Sequence, residues 1–149
     1  MSDLDNLLAS REMVLVAGSG GVGKTTIAAA MGIAAAQRQK GKILVLTVDP
    51  ARRLATALGL EEVGNTPVRI KPAVFKQAGV KVRGQLWVAM LDTKAGWDEL
   101  IRRHAPDDQV RDAVLANPLY QNITSRFVHS HDYLAMEQLH DLHAIGEFD

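Results

Sequence analysis

Residues 13–26 read MVLVAGSGGVGKTT, an apolar run that breaks into glycines and resumes at a lysine and two threonines. Gly18, Gly23, Lys24 and Thr25 satisfy G-x-x-x-x-G-K-[ST], the spacing of a loop that cradles phosphate groups. Upstream, Met13–Ala17 is an unbroken apolar run that predicts a strand buried on both faces, as in parallel sheets. Downstream, KTTIAAAMGIAAAQRQKG holds strong helix formers, is apolar nearly all round from Ile27 to Ala36, and stops at Gly41. KILVLTVDP, Lys42–Pro50, predicts a second strand. Strand, glycine loop, helix and strand together predict a right-handed βαβ unit in a doubly wound, mostly parallel α/β sheet of the phosphate-loop (P-loop NTPase) kind.

Each residue type in the loop has a physical reason to be there. Gly18, Gly20, Gly21 and Gly23 let the backbone aim successive N–H groups inward and leave no side chain in the way of a phosphate. Ser19 and Val22 complete the loop, and the helix that follows adds the positive end of its dipole. Lys24 is expected to reach the β and γ phosphates of ATP, the Thr25 hydroxyl to ligate Mg²⁺, and Thr26 to meet an α-phosphate oxygen. A bare glycine turn would need neither the lysine nor the hydroxyl.

Asp49 closes the second strand, at the edge where ligands of open parallel sheets bind. There it has three candidate roles: positioning an attacking water, supporting the metal's water shell, or capping the helix expected over residues 51–58. Lys24 and Asp49 are the catalytic candidates.

The remaining chain organises around this unit. GNTP at 64–67 predicts a turn, and PVRI and QLWVAML predict strands joined by a loop. No acidic residue occurs from Val63 to Leu91, while Arg69, Lys71, Lys76, Lys81 and Arg83 do. That basic segment reads as a solvated loop or as a surface for an anionic partner. Three helices are expected beyond Asp92, in DTKAGWDELIRRHA, PDDQVRDAVLAN and SHDYLAMEQLHDLHAI, with Ser130 as a capping candidate for the last.

Composition bounds the function classes. The chain of 149 residues is one domain's worth, 47% hydrophobic and 23% charged, which is ordinary for a globular protein. No apolar run approaches the roughly 20 residues of a membrane span, and the first ten residues lack the pattern of a secretory signal, so a cytoplasmic location is the expectation. The net charge of zero divides into 12 Lys/Arg against 6 Asp/Glu over residues 1–91 and 5 against 11 beyond. No nucleic-acid partner is expected from that balance. The absence of cysteine excludes disulfides and thiolate metal sites within the chain, and with them a soft-metalloid site such as arsenite would need.

GSGGVGKTT followed by LTVDPARRLATALGL and then LWVAMLDTKAGWDEL resembles the arsenical pump-driving (ArsA-like) family, which includes ATPases that target tail-anchored membrane proteins. HDYLAMEQLHDL extends the likeness, and the bacterial anion-transporting branch is the nearest in pattern. The resemblance implies ATP hydrolysis with Mg²⁺, a first switch near residues 49–53 whose Asp49 orients the attacking water, and a helical segment over 92–146. It also implies a homodimer or a related ATPase subunit as partner, with a membrane protein or transporter beyond it.

Two departures stand against the pattern. Many relatives carry a lysine at the second loop position that reaches a neighbouring subunit's phosphates; here that position is Ser19, which offers a hydrogen bond without charge. Relatives also continue from a segment like EFD into a strand bearing the second switch, so residues 1–149 are expected to be the N-terminal part of such a domain.

Other constellations carry less. His129, His131, His140 and His143 show no recognised zinc spacing. Arg52 and Arg53 face either the nucleotide, an interface or solvent. Leu134, Met136, Leu139, Leu142 and Ile145 predict a core stripe, with a partner groove as the alternative. No guanine signature occurs, which favours ATP over GTP. A nucleotide-binding module without turnover, and a positioning ATPase of the Min and Par kind, remain as alternatives.

Overall fold

A computed structural model describes residues 3–48, 54, 55, 58, 60, 63–126 and 131–149. Among them lie three strands and seven helices: α1 (Asp3–Ser10), α2 (Lys24–Arg38), β1 (Lys42–Thr47), β2 (Val68–Arg69), α3 (Pro72–Gln77), β3 (Gln85–Met90), α4 (Thr93–His104), α5 (Asp108–Ala116), α6 (Pro118–Arg126) and α7 (His131–Ile145).

The sheet runs β1-β3-β2. β1 pairs parallel with β3 in the register Lys42 with Gln85 through Thr47 with Met90, and β2 pairs antiparallel with β3. The architecture is therefore mixed α/β with a small, mostly parallel sheet. Burial alternates along β1: Ile43, Val45 and Thr47 are buried while Leu44 and Leu46 are half-buried. β3, flanked on both edges, buries Leu86, Val88, Ala89 and Met90. Ile70, Leu86 and Val88 are the largest fully buried side chains, each worth roughly 1.5–3 kcal/mol of transfer free energy.

α2 covers one face of the sheet through its small residues, with Gly32, Ala35 and Ala36 buried. A methyl group on Gly32 would collide with Val45, so glycine sets how closely helix and strand approach. The C-terminal end of α2 is satisfied by the next layer, since the N–H groups of Arg83 and Gly84 donate to the Ala36 carbonyl at 2.8 and 2.9 Å. α1 leans on the same end, where Asp5 pairs with Arg38 and Gln39 donates to the Leu8 carbonyl.

Helices α4 to α7 form a second layer. Asp92 caps α4 by accepting from Ala95 N–H at 3.0 Å, and Asp107 caps α5 by accepting from Val110 N–H at 2.8 Å. Trp97 of α4 stacks on Tyr133 of α7, and Leu134 packs over Gly96.

Three sequence expectations need correction. Met13–Ala17 forms no strand, and Leu15 is 79% exposed. An apolar run supplies the side chains of a buried strand, but a ladder also needs a neighbour's N–H and C=O groups, and two cavities separate this segment from β1. The first strand of the expected βαβ unit is thus missing from the sheet, and the parallel pair is β1 with β3. The connection between PVRI and QLWVAML is not all loop: Pro72 opens α3, whose Phe75 is buried. In α7 only Leu134 and Leu142 of the expected stripe are buried, while Met136 and Ile145 are exposed because no described element covers that side.

Candidate functional site

The glycine loop lies between the unpaired segment and α2. Gly21 and Gly23 take φ values of 78° and 90°, the left-handed region where a side chain is strained. Gly23 serves as the N-cap of α2 and provides no side-chain bond; its carbonyl accepts from Ile27 at 2.9 Å. The first-turn N–H groups of Lys24, Thr25 and Thr26 are consequently left without a side-chain cap, and no acidic residue occupies that turn. Methyl groups built on Gly20, Gly21 and Gly23 would meet nothing within 4 Å, so these three glycines border open space.

Lys24 folds back over this loop and donates from Nζ to the Ser19 carbonyl at 2.7 Å. Thr25 is half-buried and Thr26 exposed, so both hydroxyls stand at the rim rather than in the core. An uncapped helix start, a lysine curled across it and a hydroxyl beside it can together hold a chain of phosphate groups. Thr25 is the metal-ligand candidate, and the hydroxyl oxygen suits a hard cation such as Mg²⁺.

The fold brings this loop to the carboxyl end of the sheet. The chain reverses from Arg38 to Lys42 in a short turn while α2 lies along β1, so Lys24 at the start of α2 and Thr47 at the close of β1 share one end. Asp49, Arg52 and Arg53 follow Thr47 but lie outside the described residues, as do His129 and Ser130. Their expected roles gain no geometry.

A polar clamp that the sequence reading did not single out holds the same end. Asn65 accepts from the Asp92 N–H at 2.7 Å and donates to the Asp92 carbonyl at 3.2 Å, and Gln138 donates to the Asn65 carbonyl at 2.7 Å. Its one legible signal is the GNTP turn, where an Asn side chain can replace backbone partners. Leu91 N–H donates to the Thr47 carbonyl at 2.9 Å, tying the clamp to β1.

His140 is 3.7 Å from Asp141 and His143 is 3.6 Å from Glu12, and among the described residues no three ligand-type side chains converge. No helix among the described residues is long and apolar enough to cross a membrane.

The loop at 18–26 and the strand and helices that follow it have a counterpart in known proteins. Residues 11–142 match the family described as anion-transporting ATPase, a span that takes in the loop, β1, β3 and most of the helical layer. The match covers well over half of the chain, and the chain belongs to the anion-transporting ATPase (ArsA) family.

Proposed function

We propose that the chain is a Mg-ATP-binding P-loop ATPase whose phosphate site is Gly18, Ser19, Gly20, Gly21, Val22, Gly23, Lys24, Thr25 and Thr26. The observation that carries this reading is the uncapped start of α2 with Lys24 bent over it onto the Ser19 carbonyl. A phosphate oxygen is a charged acceptor, so it draws the ammonium from a neutral carbonyl and takes the free N–H groups as well. Lys24 then neutralises charge on the β and γ phosphates, and the Thr25 hydroxyl helps hold Mg²⁺, which when bound screens the phosphate charge. Asp49 is the proposed positioning group for the attacking water.

In the complete ATPase, hydrolysis drives a conformational switch in anion transport or membrane-protein targeting. A second copy or a related ATPase subunit is the proposed partner, in the cytoplasm. Ser19 favours a second reading, a module that binds nucleotide without turnover, because it offers no cation to a neighbour's phosphates.

The test is a titration with a fluorescent ATP analogue, with and without Mg²⁺, beside Lys24→Ala. Saturable binding that tightens with Mg²⁺ and weakens by about a hundredfold in the variant is expected. Equal binding by the variant would overturn the reading. Hydrolysis measured on the same samples separates the ATPase from the module without turnover.

A further inference from the structure

The helical layer is held together mainly by contacts at its own surface. No residue of α4 or α5 is buried, and α7 buries Leu134 and Leu142. Trp97 stacks on Tyr133, the Tyr120 hydroxyl donates to Asp98, and Arg103 pairs with Asp141. These contacts join helix to helix. An element with few buried apolar side chains opens or shifts at low cost, so this layer is the part of the described chain best able to move.

A chain of hydrogen bonds crosses from this layer to the end of the sheet where the glycine loop lies. The Thr47 carbonyl, closing β1, accepts from Leu91 N–H at 2.9 Å. The next residue, Asp92, is gripped on both backbone groups by one side chain: its N–H donates to Asn65 at 2.7 Å, and its carbonyl accepts from the Asn65 amide at 3.2 Å. The Asp92 carboxylate caps α4, and the Asn65 carbonyl accepts from Gln138 of α7 at 2.7 Å. Asn65 therefore stands between the sheet, the start of α4 and the middle of α7. At the other end of the path, Gly32 of α2 packs against Val45 with no slack, so a displacement of α2, whose first turn borders the loop, is passed to β1.

Gln138 is the releasable joint in this chain. Its amide N–H is satisfied by Asn65, but its Oε1 is buried and has no hydrogen-bond partner among the described residues. A buried acceptor without a partner opposes the arrangement that buries it, and opening to water would relieve that cost. One bond favours the closed joint and one orphaned oxygen favours the open one. Opposed terms of this kind leave two packings close in free energy, which is what a switch requires.

We propose that Asn65 is the coupling residue between the phosphate loop and the helical layer: nucleotide at the loop shifts α2 and β1, and Asn65 passes the shift to the Gln138 joint, which opens as α7 turns against α4. Asn65 touches no phosphate and acts through Asp92 and Gln138. The inference rests on the nucleotide reading, since the signal originates at the loop. Its reporter is built in, because Trp97 of α4 stacks on Tyr133 of α7 and that stack loosens when the joint opens.

The chain has two tryptophans, so Trp87→Phe leaves Trp97 as the sole emitter. In that background Mg-ATP is titrated while Trp97 emission is read, and binding is measured separately by displacement of a fluorescent ATP analogue. A saturable shift of the emission to longer wavelength is expected, with the midpoint of the binding curve. Asn65→Ala and Gln138→Leu should each bind ATP within about threefold of the parent and lose at least four-fifths of the emission shift. A clamp that is only structural would lower the urea midpoint of both variants and leave the shift intact, which overturns the coupling. Binding by the parent with no shift, or with a shift to shorter wavelength, overturns it while the nucleotide reading stands. Loss of binding in both variants makes the clamp a scaffold for the loop and also overturns it. No binding by the folded parent removes the nucleotide reading and the coupling together.

Discussion

Lys24 and Ser19 are joined through the loop they bracket: the ammonium of one donates to the backbone carbonyl of the other at 2.7 Å. The acceptor belongs to the main chain, so the Ser19 hydroxyl is dispensable for this contact. Ser19→Ala is therefore expected to bind a fluorescent ATP analogue within about twofold of the parent. Ser19→Lys adds a cation at the exposed rim and should tighten binding severalfold at low salt, an effect that fades near 0.5 M salt as screening shortens its reach. Anisotropy titrations at two ionic strengths decide both.

Thr25 gives a second test of the same site. Thr25→Val keeps the shape and removes the oxygen, so the gain in analogue affinity on adding Mg²⁺ should vanish while Mg²⁺-free binding survives. Thr25→Ser should retain the gain. A Mg²⁺ effect that persists in the valine variant would remove Thr25 from the metal's ligands.

Gly32 and Val45 mark where α2 meets β1, and two effects of opposite sign compete there. Alanine in a helix interior is favoured over glycine by about 1 kcal/mol. Against that, the new methyl collides with the Val45 side chain, whose branched and buried carbon has little room to move. Overpacking costs about 1–3 kcal/mol, so the clash wins or the two effects cancel, and Gly32→Ala should not stabilise the chain. Adding Val45→Ala should cost less in the Gly32→Ala background than in the parent. Urea midpoints of the four chains form the cycle, and simple additivity would show that the two residues do not meet.

The same pair shows what was legible in the sequence. Helix formers and an apolar run predicted α2 and β1 near their observed bounds, because each rests on local propensity and periodicity. The glycine loop was legible because its spacing is itself the chemistry. Pairing is different: Met13–Ala17 carries the composition of a buried strand, yet whether it joins a sheet depends on a neighbour that composition does not name. Pro72 read as a loop residue although it suits the first turn of a helix equally well, and only the burial of Phe75 decides between them. The helices α1 and α6 follow from no pattern read in the sequence, and α6 opens on Pro118, a residue that suits the first turn of a helix. The Asn65–Asp92 clamp joins residues 27 apart, which no local pattern encodes.

Tyr120 predicts a response to alkali. Its hydroxyl donates to Asp98 at 2.9 Å, and Lys94 reaches the same carboxylate at 2.9 Å. Burial, with the hydrogen bond to Asp98 and its negative charge, pushes the phenol well above its ordinary value near 10. A pKa raised on folding contributes stability that is complete below about pH 10 and is lost as pH rises beyond it. Tyr120→Phe should lower the urea midpoint at pH 8, on the scale of about 1.5–3 kcal/mol for a hydrogen bond to a charged group, and should flatten the alkaline fall. In Tyr133→Phe, the tyrosinate absorbance of Tyr120 should rise only above the range of a free phenol.

Arg103 and Asp141 predict the response to acid. The guanidinium of α4 donates twice to the carboxylate of α7, at 2.7 and 3.3 Å, with the Glu137 carboxylate standing 3.7 Å away as a second ion-pair partner. The hydrogen bond from Arg103 comes first, with its positive charge adding to it, in holding the Asp141 carboxyl below its ordinary value. A pKa lowered on folding contributes stability that is complete above the unfolded value, near pH 3.9, and is lost as pH falls through the folded one. The difference in urea midpoint between the parent and Asp141→Asn should therefore shrink as pH falls below 4. The pair lies at the surface, so the difference at neutral pH should be small and should diminish further in 0.5 M salt. Glu137 can inherit the guanidinium in the variant, which predicts that Asp141→Asn with Glu137→Gln loses more than the two single changes together. Strict additivity would mean that Glu137 does not take over the guanidinium when Asp141 loses its charge.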